Sequence, residues 1–161
     1  MGTIVVGVDG SEAGDAALRW ALAEARLRQT GLRVVHAYQA PHPSITEAGL
    51  GAAGGMPVPA VFTEDRDQIR RAAEAQAGTV IEEALRRVTN GSADEVEIER
   101  AAVEGPAGKS LIEAAQGAEL LVVGSRGHGG LLGLVMGSVS RQCAEHPPCP
   151  VVIAPRPEQD G

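Results

Sequence analysis

The chain has 161 residues, 43% of them hydrophobic, which suffices for one full core without metal or disulfide staples. Fourteen basic against twenty-one acidic residues leave a formal charge of −7, and no basic patch or membrane-length apolar run offsets it, which argues against nucleic acid and membrane surfaces as partners. The start of the chain lacks a secretory pattern, and two cysteines, Cys143 and Cys149, fit reduced, buried thiols, so a cytoplasmic protein is expected.

Residues 3–8 form a short apolar run that ends at Asp9-Gly10-Ser11, as a buried strand does when it hands over to a helix. Ser11 can cap that helix, whose buried face carries Ala17, Leu18, Ala21, Leu22 and Ala25 and which Gly31 is expected to end. A second strand spans 32–38. Residues 41–59 turn to Pro, Gly, Ala and Ser without a sustained period and read as a surface loop, an insertion placed at 41–62. A long helix is expected over about 64–88, with Ile69, Ala73, Ala77, Ile81, Ala84 and Val88 as its stripe, broken by Asn90-Gly91.

Residues 96–103 begin with apolar and charged residues in alternation, which predicts an edge strand. Gly105-Pro106 opens a short helix through Leu111, Ile112 and Ala115 that Gly117 closes, and 120–123 is a fully apolar fourth strand. A helix over 138–145 and a strand over 150–154 follow, then a polar tail at 156–161. Strands and helices alternate throughout, which predicts one α/β domain, a doubly wound parallel sheet with helices on both faces. Trp20, Tyr38 and Phe62 are the whole aromatic complement, so the core must be built of small aliphatics. In such a sheet ligands bind beyond the carboxyl ends of the strands where the strand order reverses, so Asp9, Ala37 and the loop after Val123 should converge.

That loop reads GSRGHGGLLGLVMGSVS over 124–140 and joins a buried strand to a helix. Glycines without Cβ atoms let ligand oxygens approach backbone N–H groups, a helix start favours anions, and Ser138 can add a hydroxyl donor. The expected ligand group is a phosphate.

The spacing Gly124, two residues, Gly127, nine residues, Gly137-Ser138 resembles the ATP-binding signature of the universal stress protein family. The resemblance covers residues 1–155 and includes IVVGVDGS at 4–11, VVHAY at 34–38, EGPAGKSLIEAA at 104–115 and CPVVIAP at 149–155. It implies an open five-stranded sheet in the order 3-2-1-4-5. It also implies that Gly127, Gly137 and Ser138 receive phosphates, that the backbone around Ala37 meets the adenine, and that Gly124 lies beside the ribose. Asp9 matches the family's ligand-facing acid, with hydrogen bonding to the nucleoside, approach to a phosphate-bound Mg2+ ion, and helix capping all open to it. The full candidate set adds Val8, Gly10, Ser11, Val123, Arg126, His128, Gly130, Val139 and Ser140. Arg126 can steady phosphates or face solvent, and His128, with no oriented carboxylate, reads as a solvated loop residue. His36 reads as a hydrogen-bonded core residue.

Two weaker signals are set aside. Gly108-Lys109-Ser110 looks like the end of a Walker loop, but Val103 stands where that motif needs glycine. Cys143, His146 and Cys149 lack a fourth ligand for zinc. No protein metal site and no catalytic residue is assigned. Three functions compete: a homodimeric sensor or stress-response regulator that binds ATP, a slow Mg-dependent ATPase, and a dimeric interaction module with a structural nucleotide or a preference for AMP or cyclic AMP. The resemblance implies dimerisation through Val151, Val152 and Ile153, with a further protein partner unidentified.

Overall fold

A computed structural model describes residues 2–41, 61–90, 95–127 and 136–156, and side chains between 61 and 90 from residue 66 onward. Its elements are β1 (Thr3–Gly7), α1 (Glu12–Arg28), β2 (Gly31–Tyr38), α2 (Val61–Thr89), β3 (Ile98–Glu104), α3 (Ala107–Ala114), β4 (Leu120–Gly124), α4 (Ser138–Glu145) and β5 (Val151–Ala154). The strands form one parallel sheet in the order β3-β2-β1-β4-β5.

β1 holds the centre because it is apolar on both faces, with Ile4, Val5 and Val6 all fully buried. Alternation sends its side chains into two cores. Ile4, Val6 and Val8 pack with Ala17, Leu18, Ala21, Leu22 and Ala25 of α1 and with Ile81, Ala84 and Leu85 of α2. On the other face Val5, Val35, Leu121 and Val123 pack with Leu111 of α3 and Cys143 of α4. The largest fully buried side chains are Ile4, Leu18, Leu32, Ile81 and Leu121, while Trp20 stays 38% exposed on α1. Small aliphatics therefore fill both cores, as the composition requires. Burial pushes the Cys143 and Cys149 thiols above their ordinary range, which favours the protonated form; Cys143 is fully buried as expected, whereas Cys149 is only half-buried. No helix among the described residues is long and apolar enough to cross a membrane.

The element boundaries depart from the expected ones in instructive places. Gln29, not Gly31, ends α1: it takes a left-handed φ of 54° and donates its N–H to the carbonyls of Ala25 and Arg26. Gly31 is instead the first residue of β2, in register with Thr3. α2 starts at Val61, inside the expected 41–62 insertion and ahead of residue 64, where Val and Phe carry no helix-breaking propensity that would mark the boundary. Residues 42–60 of that insertion, Gly91 and the tail beyond Arg156 lie outside the described residues. Asn90 closes α2 with φ 48°, and Gly105 (φ 145°) and Gly117 (φ 76°) make the turns on either side of α3. β3 begins at Ile98 rather than 96 and does lie at a sheet edge.

One polar contact ties the first helix layer together. Asp15, only 6% exposed, receives a two-pronged bond from Arg87 of α2, with Nε to Oδ2 at 2.7 Å and Nη2 to Oδ1 at 3.1 Å. That bond holds the Arg87 guanidinium above its already high ordinary value. Because the arginine side chain is 43% exposed, solvent screens the pair. Arg87→Gln is expected to lower stability by about 1 kcal/mol, seen as a lower urea midpoint at an unchanged m-value.

Candidate functional site

β1 stops at Gly7 whereas β2 continues to Tyr38, still paired with β3 through Ala37↔Val103 and Tyr38↔Glu104. The Val8 N–H makes the last bond across this seam, to the Val35 carbonyl at 2.9 Å. Past that point the chain leaves the sheet through Asp9 and Gly10 and enters α1. An opening remains between β2 and β4 where the order of connection reverses, the place at which open α/β sheets bind ligands.

The turn after β1 is self-braced. Ser11 is the N-cap of α1, its Oγ accepting the Gly14 N–H at 3.1 Å. The Ser11 N–H donates to Asp9 Oδ1 at 3.0 Å, and the Ser11 hydroxyl donates to the same oxygen. The capping role left open for Asp9 therefore falls to Ser11, and Asp9 braces the capping residue. The other Asp9 oxygen lies where a Cβ on Gly127 would sit, 2.3 Å from it. His36 Nδ1 meets the Val8 carbonyl at 2.7 Å, so this half-buried histidine is hydrogen-bonded as expected.

The two ends of the glycine loop are tied to each other. The Ser125 N–H reaches the Ala154 carbonyl at 2.9 Å, and the Gly137 N–H reaches the Ser125 carbonyl at 2.7 Å. The buried Ser140 hydroxyl faces the carbonyls of Ser125 (3.2 Å) and Gly137 (3.0 Å), so it braces this neck. Gly137 caps α4 without a side-chain bond, and the first turn carries no acid, which leaves the positive end of the α4 dipole uncompensated by carboxylates. Ser138 is exposed at that end.

A cleft with about 480 Å³ of empty space, part of it open to solvent, lies over the end of β1. Eight of the fifteen candidate residues line it: Val8, Asp9, Ala37, Val123, Gly124, Arg126, Gly127 and Val139. Gly10 (φ 80°), Ser11, Gly137, Ser138 and Ser140 stand at the starts of α1 and α4 rather than in the wall. His128 and Gly130 lie outside the described residues. Arg126 is half-buried and contributes to the wall. Among the described residues, the lining is apolar apart from Asp9, Arg126 and backbone groups.

Sequence reasoning missed Gly7, Gly14, Val35, Ala107 and Leu111, which also line the wall among the described residues. Gly14 is a helix residue with no motif of its own. Its lack of a Cβ leaves room for Asp9 Oδ1, which would stand 2.9 Å from one. Ala107 and Leu111 belong to the quoted EGPAGKSLIEAA segment, whose bearing on the cleft depends on how α3 lies under it. The neighbouring Gly108-Lys109-Ser110 is not a phosphate loop: a Cβ on Gly108 would meet the Gln142 side chain, and Lys109 faces solvent 3.8 Å from Glu113.

Known proteins supply an independent comparison. The sequence profile described as Universal stress protein family matches residues 1–155. A universal stress protein of Mycobacterium tuberculosis is 34% identical over 153 residues, covering 95% of this chain and 48% of the relative. The chain thus spans about half the length of the curated relatives it matches. Among solved structures, a universal stress protein from Lactobacillus plantarum is similar with a TM-score of 0.69 at 20% identity, covering 95% of this chain and 97% of that one. A crystal structure described as a universal stress protein in complex with cAMP is similar with a TM-score of 0.61 at 26% identity, covering 94% of this chain and 95% of that one.

The glycines of the loop are not equivalent. A Cβ on Gly124 would stand 2.7 Å from the Ala13 backbone carbon and oxygen, whereas one on Gly137 meets nothing closer than 3.5 Å. Gly124→Ala is therefore expected to cost about 1–3 kcal/mol in urea unfolding, by forcing β4 and α1 apart. Gly137→Ala, where φ is −73°, should change stability by less than about 0.5 kcal/mol in the same assay.

Proposed function

The chain belongs to the universal stress protein family, and from that membership we propose that it is an adenine-nucleotide-binding regulator that uses ATP as its preferred ligand in a cytoplasmic stress response. The observation that carries this reading is the convergence of Asp9, Ala37 and Gly127 from three strand ends on one cleft. The related structure that holds cAMP supports the adenine nucleotide class.

Each lining group has a task in this reading. The Val35 carbonyl points toward β1, since it accepts the Val8 N–H, and two residues on the backbone groups of Ala37 point the same way, beyond the end of β1. They can pair with the edge of an adenine, while Val8, Val35, Leu111, Val123 and Val139 supply apolar contact to the ring and sugar. Gly124 lies beside the ribose, and Asp9 accepts from a nucleoside hydroxyl. Gly127, Gly137, Ser138 and the start of α4 receive phosphates through N–H and O–H donors, with Arg126 adding positive charge. Asp9 is also the carboxylate that a Mg2+ ion carried on the phosphates would approach, where the ion would neutralise phosphate charge. Binding rather than turnover is the proposed activity.

β5 sits at the sheet edge with Val151, Val152 and Ile153 half-exposed in the single chain. Pairing of this strand across a two-fold axis would cover an apolar edge that otherwise invites non-specific association. Light scattering should accordingly report twice the chain mass, and a monomer with nucleotide present would refute the dimer.

Calorimetric titration of nucleotide-stripped protein with ATP, AMP and cAMP, with and without Mg2+, tests the nucleotide reading. Wild type should bind saturably, and Gly127→Ala should bind at least about tenfold more weakly, because the added methyl displaces the Asp9 carboxylate. No binding of any of the three to wild type would overturn the reading. Nucleotide turnover lost in Asp9→Ala with binding intact would instead favour a slow Mg-dependent ATPase.

A further inference from the structure

Ser11 does not line the cleft, yet its two donors converge on the one carboxylate that does. We infer that Ser11 is a positioning residue of the nucleotide site: it acts through Asp9, holding that carboxylate against Gly127 so that the acid and the start of the glycine loop present one preset surface to a ligand. The inference rests on the adenine-nucleotide reading of the cleft.

The geometry separates the two carboxylate oxygens. Oδ1 takes the Ser11 N–H at 3.0 Å and the Ser11 hydroxyl, so the side chain cannot rotate about χ1 or χ2 without losing both. Oδ2 is thereby turned to Gly127, where any side chain would fill its place. Gly14 clears space on the opposite side, with Oδ1 lying 2.9 Å from the position of its absent Cβ. The Ser11 oxygen also accepts the Gly14 N–H at 3.1 Å, so the same atom that caps α1 transmits the fixed helix start to the carboxylate. A polar group fixed before the ligand arrives loses no rotamer freedom on binding, which is the physical gain of such an arrangement.

A capping role and a positioning role predict different orders among Ser11 variants. Glycine is a good N-cap residue and costs only a few tenths of a kcal/mol there, whereas alanine costs about 1 kcal/mol. Glycine keeps the N–H bond to Asp9 but has no hydroxyl to give. Threonine keeps both the cap and the hydroxyl donor. The experiment measures ATP affinity by calorimetry and the thermal midpoint of the full chain for wild type, Ser11→Thr, Ser11→Gly and Ser11→Ala. The expected result is affinity near wild type in Ser11→Thr and a loss of about tenfold in both Ser11→Gly and Ser11→Ala, with a lowered midpoint in Ser11→Ala alone. Affinity that follows the midpoint, with Ser11→Gly binding as wild type, would overturn the inference and leave Ser11 a cap. A ligand-free readout separates this from failure of the nucleotide reading: the Gly127 amide resonance should shift in Ser11→Gly and in Asp9→Asn, and not in Ser11→Thr. If wild type binds none of ATP, AMP and cAMP but those shifts occur, the nucleotide reading fails while the Ser11, Asp9 and Gly127 linkage stands. If Gly127 is unmoved by either substitution, the linkage itself is refuted.

Discussion

The site depends on a difference in strand length at the centre of the sheet. β1 ends at Gly7 between two neighbours that carry on, so on the β1 side the backbone groups of Ala37 face a gap, while β2 stays paired with β3 on its other side. Buried backbone polar groups must be satisfied, so a sheet that opens this way creates a standing demand for hydrogen-bond donors and acceptors at its carboxyl end. The right-handed crossovers put α1 and α2 on one face and α3 and α4 on the other, and the gap between them becomes a cleft instead of a packed core.

The cleft has a rigid rim on both sides. On the β1 side, the Asp9 and Ser11 pair fixes the turn into α1, and Asp15 with Arg87 anchors the first turn of that helix to the end of α2. On the β4 side, Ser125, Gly137 and Ser140 close a hydrogen-bonded neck, so the ends of the glycine loop stay together regardless of the path between them. Asp9 against Gly127 is where the two rims touch. Both rims are braced by short polar contacts, including the Asp15–Arg87 ion pair on the β1 side, and these contacts fix where the rims meet.

The glycine pattern divides into parts with separate physical causes. Gly124 is required because the end of β4 runs against the Ala13 backbone, and Gly14 and Gly127 flank the Asp9 carboxylate, whereas a side chain at Gly108 would have to displace only the end of the flexible Gln142 side chain. Gly137 has space for a side chain and an ordinary φ, so packing does not demand glycine there. A motif read as one phosphate-binding signature thus mixes packing constraints with groups available to a ligand. The cleft's position follows from the strand order, whereas family membership rests on the sequence match over residues 1–155.

The sequence alone determined the fold class, because strand-length apolar runs alternating with helical stripes allow little besides a parallel sheet covered on both faces, and it marked Asp9, Ala37 and the loop after Val123 through their places at strand ends. It also settled that the core is aliphatic, since three aromatics cannot fill one. Helix ends were less legible: Gln29 rather than Gly31 closes α1, because a left-handed residue is selected by the hydrogen bonds available at that turn and glycine is only the commonest answer. Tertiary structure alone decided that Gly7, Gly14, Val35, Ala107 and Leu111 line the cleft, and that Ser11 hydrogen-bonds Asp9. Those facts depend on distances between segments far apart in the chain, set by how two helix layers pack on a twisted sheet, and no local pattern of residues encodes them.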